Sequence, residues 1–529
     1  MIRVRDISLR PQEDGDEGLR EAIAKILGIG ARRLGRVKIV RRSIDARRKN
    51  DVRLIYTADV SVPNEAALLK RGGKISPVPD DHYEPPAAAQ PGRYRPVVVG
   101  FGPAGMFAAL VLAGAGLCPL VIERGSDVKT RREKVERFWS GSELDGECNV
   151  QFGEGGAGTF SDGKLNTGTG DKRIGWVLRK FADFGAPESV TYDAAPHVGT
   201  DILADVVLNL RRKIIELGGE VRFNTRLTGL ITDNGRISGV EWESGGRRES
   251  IKTDSVILAV GHSARDTFEM LLKMGIPMEP KAFSMGVRVE HLQKQIDRSQ
   301  FGAFAGHKAL GAAPYKLNCR TESGSAYTFC MCPGGYVVAA ASEKGGIVTN
   351  GMSYSGRGGE NANSALLVTL TPDMFPHAGV MGGVTWQREI ERAAFAAAGG
   401  TYMAPAQLMG DFLEGRPSVG AGVVKPTYRP GVTWCGLDTV LPPIITAPLR
   451  EAMPVLDRKL HGFLDPDAVL TAPETRSSSP VRVLRGSDMC SALPGLYPCG
   501  EGAGYAGGIV SAAVDGIRCA EAVISASEK

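Results

Sequence analysis

The sequence predicts an α/β protein: a parallel sheet, interrupted by a long and mostly antiparallel α+β insertion and preceded by a small basic α/β module. Three observations lead there. Short apolar runs that end in glycine, such as Val97–Val99, suit buried parallel strands. A strand-rich stretch from Gly286 to Leu370 lies between such runs and separates them. Residues 1–76 alternate strand and helix patterns of their own and are closed off by Pro77–Pro96, which holds six prolines and no periodicity.

In the first module, Ile2–Leu9, Val37–Arg42 and Asp51–Val62 read as strands and Gly18–Leu27 as an amphipathic helix. Residues 1–95 carry 20 basic against 13 acidic side chains, +7, although the whole chain carries only +5. Ten of the basic residues and two acidic ones fall in Arg32–Arg53. Such a cluster can meet RNA or an anionic protein, but it is more often a solvated face.

Val97–Glu123 is the most informative stretch. A strand runs into Gly100-x-Gly102-Pro103-Ala104-Gly105, a helix of small residues follows to about Ala113, and the strand Leu120–Ile122 ends in Glu123-Arg124. The first glycine permits the tight turn, the second lets a pyrophosphate approach the backbone, and the third lets helix and strand pack closely. The helix N-terminus stabilises the phosphate charge. Glu123 stands where a carboxylate can accept hydrogen bonds from a ribose diol. The uncharged run Val97–Ile122 has the length of a membrane span, but phosphate-loop spacing is nothing that a lipid-facing helix needs.

Further on, Leu203–Leu217 reads as a helix and Glu220–Asn224 as a strand. Ile237–Glu241 and Arg247–Lys252 flank Gly245-Gly246 as a hairpin. Ser255–Val260 is a buried strand that ends at Gly261, with His262 expected to be structural. Val287–Glu290, Ala326–Cys332, Tyr336–Ala341 and Leu366–Leu370 are the strands of the insertion, and Gly383–Ala398 is a helix. Parallel-sheet signals return near Val481 and finish with Leu496–Cys499. The expected organisation is a basic module (1–76), a linker (77–95), a nucleotide domain (96–280 and 481–529) and an inserted substrate domain (281–480).

A second glycine-rich stretch, Gln151–Leu165, offers exposed backbone N–H groups and little side-chain bulk, which suits a loop against a flat ring or a pyrophosphate. Gly156, Ala157, Gly158, Thr159, Phe160, Ser161, Asp162 and Gly163 are its expected cofactor contacts. A third, Leu496–Gly504, ends a strand in Gly500-Glu501-Gly502, and an apolar helix begins at Gly508-Ile509. Its carboxylate can bond polyol hydroxyls, and its helix points a positive N-terminus at the flavin edge where charge gathers on reduction. A domain for NAD alone has no use for this second site, so the expected cofactor is FAD. Leu227 and Gly261 complete the expected contacts.

These residues resemble the two-dinucleotide-binding-domain flavoproteins. Asn149–Leu165, Phe329–Gly335 and Gly500–Gly516 are similar to one subgroup, the uncharacterised bacterial FAD-dependent dehydrogenases. The resemblance implies a glutathione-reductase-like FAD-binding Rossmann domain with a mixed substrate domain. It implies no substrate. Glu501 replaces the aspartate commonest in the wider superfamily and keeps the carboxylate.

No Cys-x4-Cys lies in the glycine-rich loop, which excludes a pyridine-nucleotide disulfide reductase of the usual type. No second strand–GxGxxG–helix unit follows, so NAD(P)H is expected only as a transient donor. The alternatives are a redox partner protein or the substrate itself. Cys330 and Cys332 are expected on one face of a strand as packed core thiols, with activity independent of them. Arg476, and after it Arg482, are expected to hold an anionic small-molecule substrate over the flavin, with an interdomain salt bridge as the competing role. Lys164 is the other candidate near N5, or else a pyrophosphate contact. No metal site is expected. Nine scattered cysteines and no leader pattern suit the cytoplasm. The expected activity is hydride transfer between FAD and an organic substrate, with a flavin monooxygenase or an RNA- or protein-binding flavoprotein as alternatives.

Overall fold

Five short strands lie parallel in one sheet, in the order Leu496–Pro498, Val256–Leu258, Val97–Val99, Leu120–Ile122 and Glu220–Arg222. The computed structural model describes residues 1–80, 82–87, 92–168 and 170–527. Four of these strands are fully buried runs, because helices cover one face and the antiparallel sheet of Thr225–Asp233, Arg236–Ser244 and Arg247–Lys252 covers much of the other. The uncharged run Val97–Ile122 divides into strand, helix and strand. Its helix, Pro103–Gly114, is buried from Ala104 to Ala113, which explains its lack of charge all round. It packs against Ile509–Ser527, the C-terminal helix. Among the described residues no helix is long and apolar enough to cross a membrane.

The insertion forms a seven-stranded sheet in the order Asn318–Arg320, Ser325–Cys332, Asn361–Leu370, Phe283–Leu292, Val469–Glu474, Ala404–Leu408, Val432–Trp434. Every pair but the last is antiparallel. One expectation is corrected here. Val481–Val483 does not join the parallel sheet; it pairs antiparallel with Met278–Pro280. Those two strands flank the insertion, so their ribbon closes its neck. A three-residue apolar run does not reveal its partner, and only the fold chooses it.

The N-terminal strands form their own antiparallel sheet in the order Val37–Asp45, Arg53–Val60, Ile2–Leu9, Ile75–Pro77, covered by the helix Asp16–Leu27 through Leu19, Ile23 and Leu27. Part of the basic cluster docks this module onto the rest. Arg42 holds Asp193 by two bonds of 2.7 and 3.0 Å, and Lys49 donates to the Gln300 carbonyl at 2.6 Å. The described part of the linker is also anchored. Tyr83 is buried against Trp176 and donates to Glu521 at 2.5 Å.

Candidate active site

The two sheets meet across a cleft of about 1,120 Å³. One wall comes from the turn after Val97–Val99, where Gly100, Gly102, Pro103 and Ala104 line the cavity. A Cβ on Gly102 would stand 3.6 Å from the Gly156 Cα, so two glycine backbones face each other across a narrow cradle. Gly105 does not line it. A Cβ there would lie 1.9 Å from the Gly100 carbonyl oxygen, which is the close helix–strand approach that requires glycine. Glu123 lines the cleft but already accepts from three backbone N–H groups: Phe101 at 2.8 Å, and Gly125 and Gly153 at 2.9 Å. The acid therefore ties the two glycine-rich turns together before any ribose arrives. Arg124, beside it, pairs with Asp266 and Glu147 and lies over the Phe152 ring.

The second glycine-rich stretch divides. Gly156, Ala157, Gly158 and Ser161 face the cavity, but Thr159, Phe160, Asp162 and Gly163 do not. Phe160 packs on Trp139 in a small core of its own. The buried Asp162 carboxylate accepts from Arg357 and from Ser353, with Lys164 at 3.4 Å. This correction has a simple cause: a loop has no fixed period, so sequence does not show which residues turn inward. Leu227, Gly261, Glu501, Gly508 and Ile509 line the cavity, whereas Gly500 and Gly502 lie behind it. Burial pushes the Glu501 carboxyl up to about 7, against the opposing pull of the Lys281 ammonium. His262 also lines the wall. Burial, then Arg476 and Arg265, push it down to about 3, so the ring is neutral at physiological pH.

Arg476 needs a second correction. Its guanidinium is turned to a carboxylate in bidentate fashion, but that carboxylate is Glu391, at 2.9 and 2.8 Å. Its remaining bonds go to Ser263 at 3.1 Å and to Ser342. Arg265 grips the same Glu391 from the other side at 2.9 and 3.0 Å. Burial would raise the Glu391 carboxyl, but the Arg265 and Arg476 guanidinium groups overcome it and hold it well below the usual range. Arg476 borders the cleft and locks the insertion to the nucleotide domain; its bidentate face is not open to a substrate. Arg482 lies in the neck ribbon, outside the cleft, and pairs with Glu279 at 3.3 Å. The arginine side chains at this junction are used for assembly, and nothing in sequence spacing distinguishes that from substrate capture.

The insertion supplies the remaining wall: Tyr315, Phe329, Cys330, Asn350, Glu474 and Lys164 from the glycine-rich loop. Sequence reasoning missed Glu474 and Asn350. Glu474 is held by Arg288 at 3.0 and 3.2 Å, and burial, opposed by Arg288, pushes it up to about 7. Lys164 donates to the Met331 carbonyl, which places it at the insertion end. Cys332 is fully buried, as expected of a core thiol, but Cys330 is not: a bulge between Phe329 and Cys332 turns it into the cleft wall. A regular strand would have kept both on one face. Nothing in the spacing of Phe329–Gly335 marks the bulge, which shows only in the pairing with Asn361–Leu370.

Among the described residues, Cys499, Asp515 and Cys519 bring three potential metal ligands within 4.8 Å of one another. The Arg485 guanidinium already bonds Asp515 at 2.6 and 3.0 Å and Cys519 at 3.5 Å, so a cation stands there.

Fold and cleft together define a dinucleotide-binding flavoprotein. Family models match residues 203–349 as "FAD dependent oxidoreductase", residues 282–477 as "FAD-dependent protein, C-terminal domain-like", and residues 1–61 as a domain of unknown function. An uncharacterised protein of Clostridium beijerinckii is 45% identical over 529 residues, covering 99% of this chain and 98% of that one. The chain belongs to the same family, one of FAD-dependent oxidoreductases. Solved structures similar to it include a triple mutant of the flavin-dependent brominase Bmp2 (15% identical, 82% of this chain and 81% of that one, TM-score 0.36). A geranylgeranyl bacteriochlorophyll reductase-like protein of Thermoplasma acidophilum is 14% identical over 82% of this chain and 79% of that one, with a TM-score of 0.37.

Proposed function

We propose that this FAD-dependent enzyme is a dehydrogenase or reductase that passes hydride between its flavin and a small organic substrate, on a glutathione-reductase-like nucleotide domain. The observation that carries the reading is the single cavity shared by the glycine turns and the insertion sheet. Ligand sites favour such domain interfaces. The Gly100–Gly105 turn and the N-terminus of Pro103–Gly114 would hold the pyrophosphate, and Gly156–Gly158 would face it. Glu501 and the N-terminus of Ile509–Ser527 would hold the far end. When bound, FAD supplies the two-electron chemistry, and the protein supplies orientation and charge.

Glu501 and Glu474, both pushed up to about 7, are carboxyls that can carry a proton near neutral pH. NAD(P)H is the proposed transient donor, with a redox partner protein as the other source. The basic N-terminal module is proposed as a docked structural unit rather than an RNA reader, since Arg42 and Lys49 face the rest of the chain. The proposed location is the cytoplasm. Anaerobic titration with NADH or NADPH, followed by candidate acceptors, tests the reading. Bleaching and substrate-dependent recovery of the flavin spectrum are expected. A hydroxylated product formed only with O₂ would move the enzyme to the monooxygenases.

A further inference from the structure

Two cysteines line the cleft, Cys330 and the fully buried Cys499, and of the two Cys330 is the partly exposed one, with built surroundings. Its backbone is left-handed, with φ of 43°, a conformation rare for a residue with a side chain and persistent only where neighbours hold it. Two cations do so. Arg288 donates to the Cys330 carbonyl at 2.9 Å, and Lys164 donates to the next carbonyl, that of Met331. Cys332 donates its thiol to the Cys330 carbonyl at 3.2 Å and so lies against the same bulge. Hydrogen bonding from Cys332 lowers the Cys330 thiol; burial opposes this, and Lys164 and Arg288 then reinforce it. Its partner moves the other way: the Cys330 interaction and burial keep Cys332 protonated. The arrangement holds a thiolate in the cleft with a proton-bearing thiol behind it. Glu474 and Glu501 line the same cavity as Cys330.

We propose that Cys330 and Cys332 form a thiol–disulfide exchange site that takes a low-molecular-weight disulfide as substrate. The Cys330 thiolate attacks one sulfur of R–S–S–R, the S–S bond breaks, and RS⁻ leaves. Cys332 then gives up its proton and attacks the Cys330 sulfur, and the second R–S group leaves with that proton as RSH. The pair is oxidised by two electrons and the substrate is reduced by two. Attack is favoured by thiolate character and access, which Cys330 combines and Cys332 lacks. Reduced flavin, on the reading proposed above, is the class of reductant that returns the electrons. The exchange itself does not rest on that reading.

The test uses the full-length flavoprotein with the exposed Cys118 replaced by serine, reduced, desalted and mixed at about pH 6 with dithiobis(nitrobenzoate). Near that pH an ordinary thiol, of pKa ~8.5, is mostly protonated. Fast release of two thionitrobenzoates is expected, leaving a Cys330–Cys332 peptide lighter by two hydrogens. Cys332→Ser should release one and keep a mixed disulfide on Cys330. Cys330→Ser should slow the first phase by about tenfold or more. Dithionite titration of the oxidised flavoprotein should take up one electron pair more per chain than the Cys330→Ser variant. An unchanged fast phase in Cys330→Ser, or a wild-type protein that keeps its adduct without forming the link, would overturn the proposal. A flavin that exchanges hydride beside inert thiols would sink this inference and leave the dehydrogenase reading standing. Reactive thiols in a protein whose flavin accepts no hydride would do the reverse.

Discussion

At the dinucleotide end, the cleft wall is mostly main chain from Gly100–Ala104 and Gly156–Gly158. At the insertion end it is side chains: Cys330 from one strand, Glu474 from another, and Lys164 from a loop. The first kind of wall needs residues with no side chain at fixed spacing, and a substitution there intrudes directly. The second needs long-range partners, such as Arg288 behind Glu474 and Glu391 behind Arg476, and a substitution there leaves a partner unpaired. Backbone sites fail by occlusion, and side-chain sites fail by lost charge balance.

The strongest test of that contrast is Gly102→Val. Its side chain would project into the cradle opposite Gly156, so the folded protein should be purified colourless, as absorbance near the flavin bands would show. Retained FAD would break the comparison. Next comes Arg476→Ala. Removing one partner of a buried ion pair costs roughly 3–5 kcal/mol, because Glu391 is left short of charge. Thermal unfolding of the holoprotein should shift down sharply. A changed KM with unchanged stability would restore Arg476 as a substrate ligand.

Glu501→Gln should act through pH. The folded carboxyl titrates at about 7 against an ordinary value of 4.5, so it stays protonated in the fold where it ionises in the unfolded chain. A raised carboxyl therefore favours the folded state at low pH, and stability is lost as pH rises from 4.5 through 7. In the FAD-stripped protein, the wild-type unfolding midpoint should fall with pH across that window more steeply than the variant's. Parallel curves would show that Glu501 ionises normally. The smallest effect is expected of Arg482→Ala. Both it and its partner Glu279 are half-buried near the surface, and such solvent-facing pairs contribute about 1 kcal/mol or less. A large loss of turnover would place it in the site after all.

The sequence alone made the glycine-lined end of the cleft legible. Gly100–Gly105, Glu123 and Glu501 answer to local rules: a tight turn, a close helix–strand approach, an acid at a strand end. Each depends on a few neighbouring residues, so spacing encodes it. The tertiary structure decided everything that depends on distant partners. It turned Phe160 and Asp162 away from the cleft, paired Val481–Val483 with Met278–Pro280, gave Arg476 to Glu391, and bent the strand at Cys330 so that one thiol of two faces the cavity. Charge pairs and bulges are settled by which groups meet when two sheets pack, and that meeting is not written in the spacing of either segment.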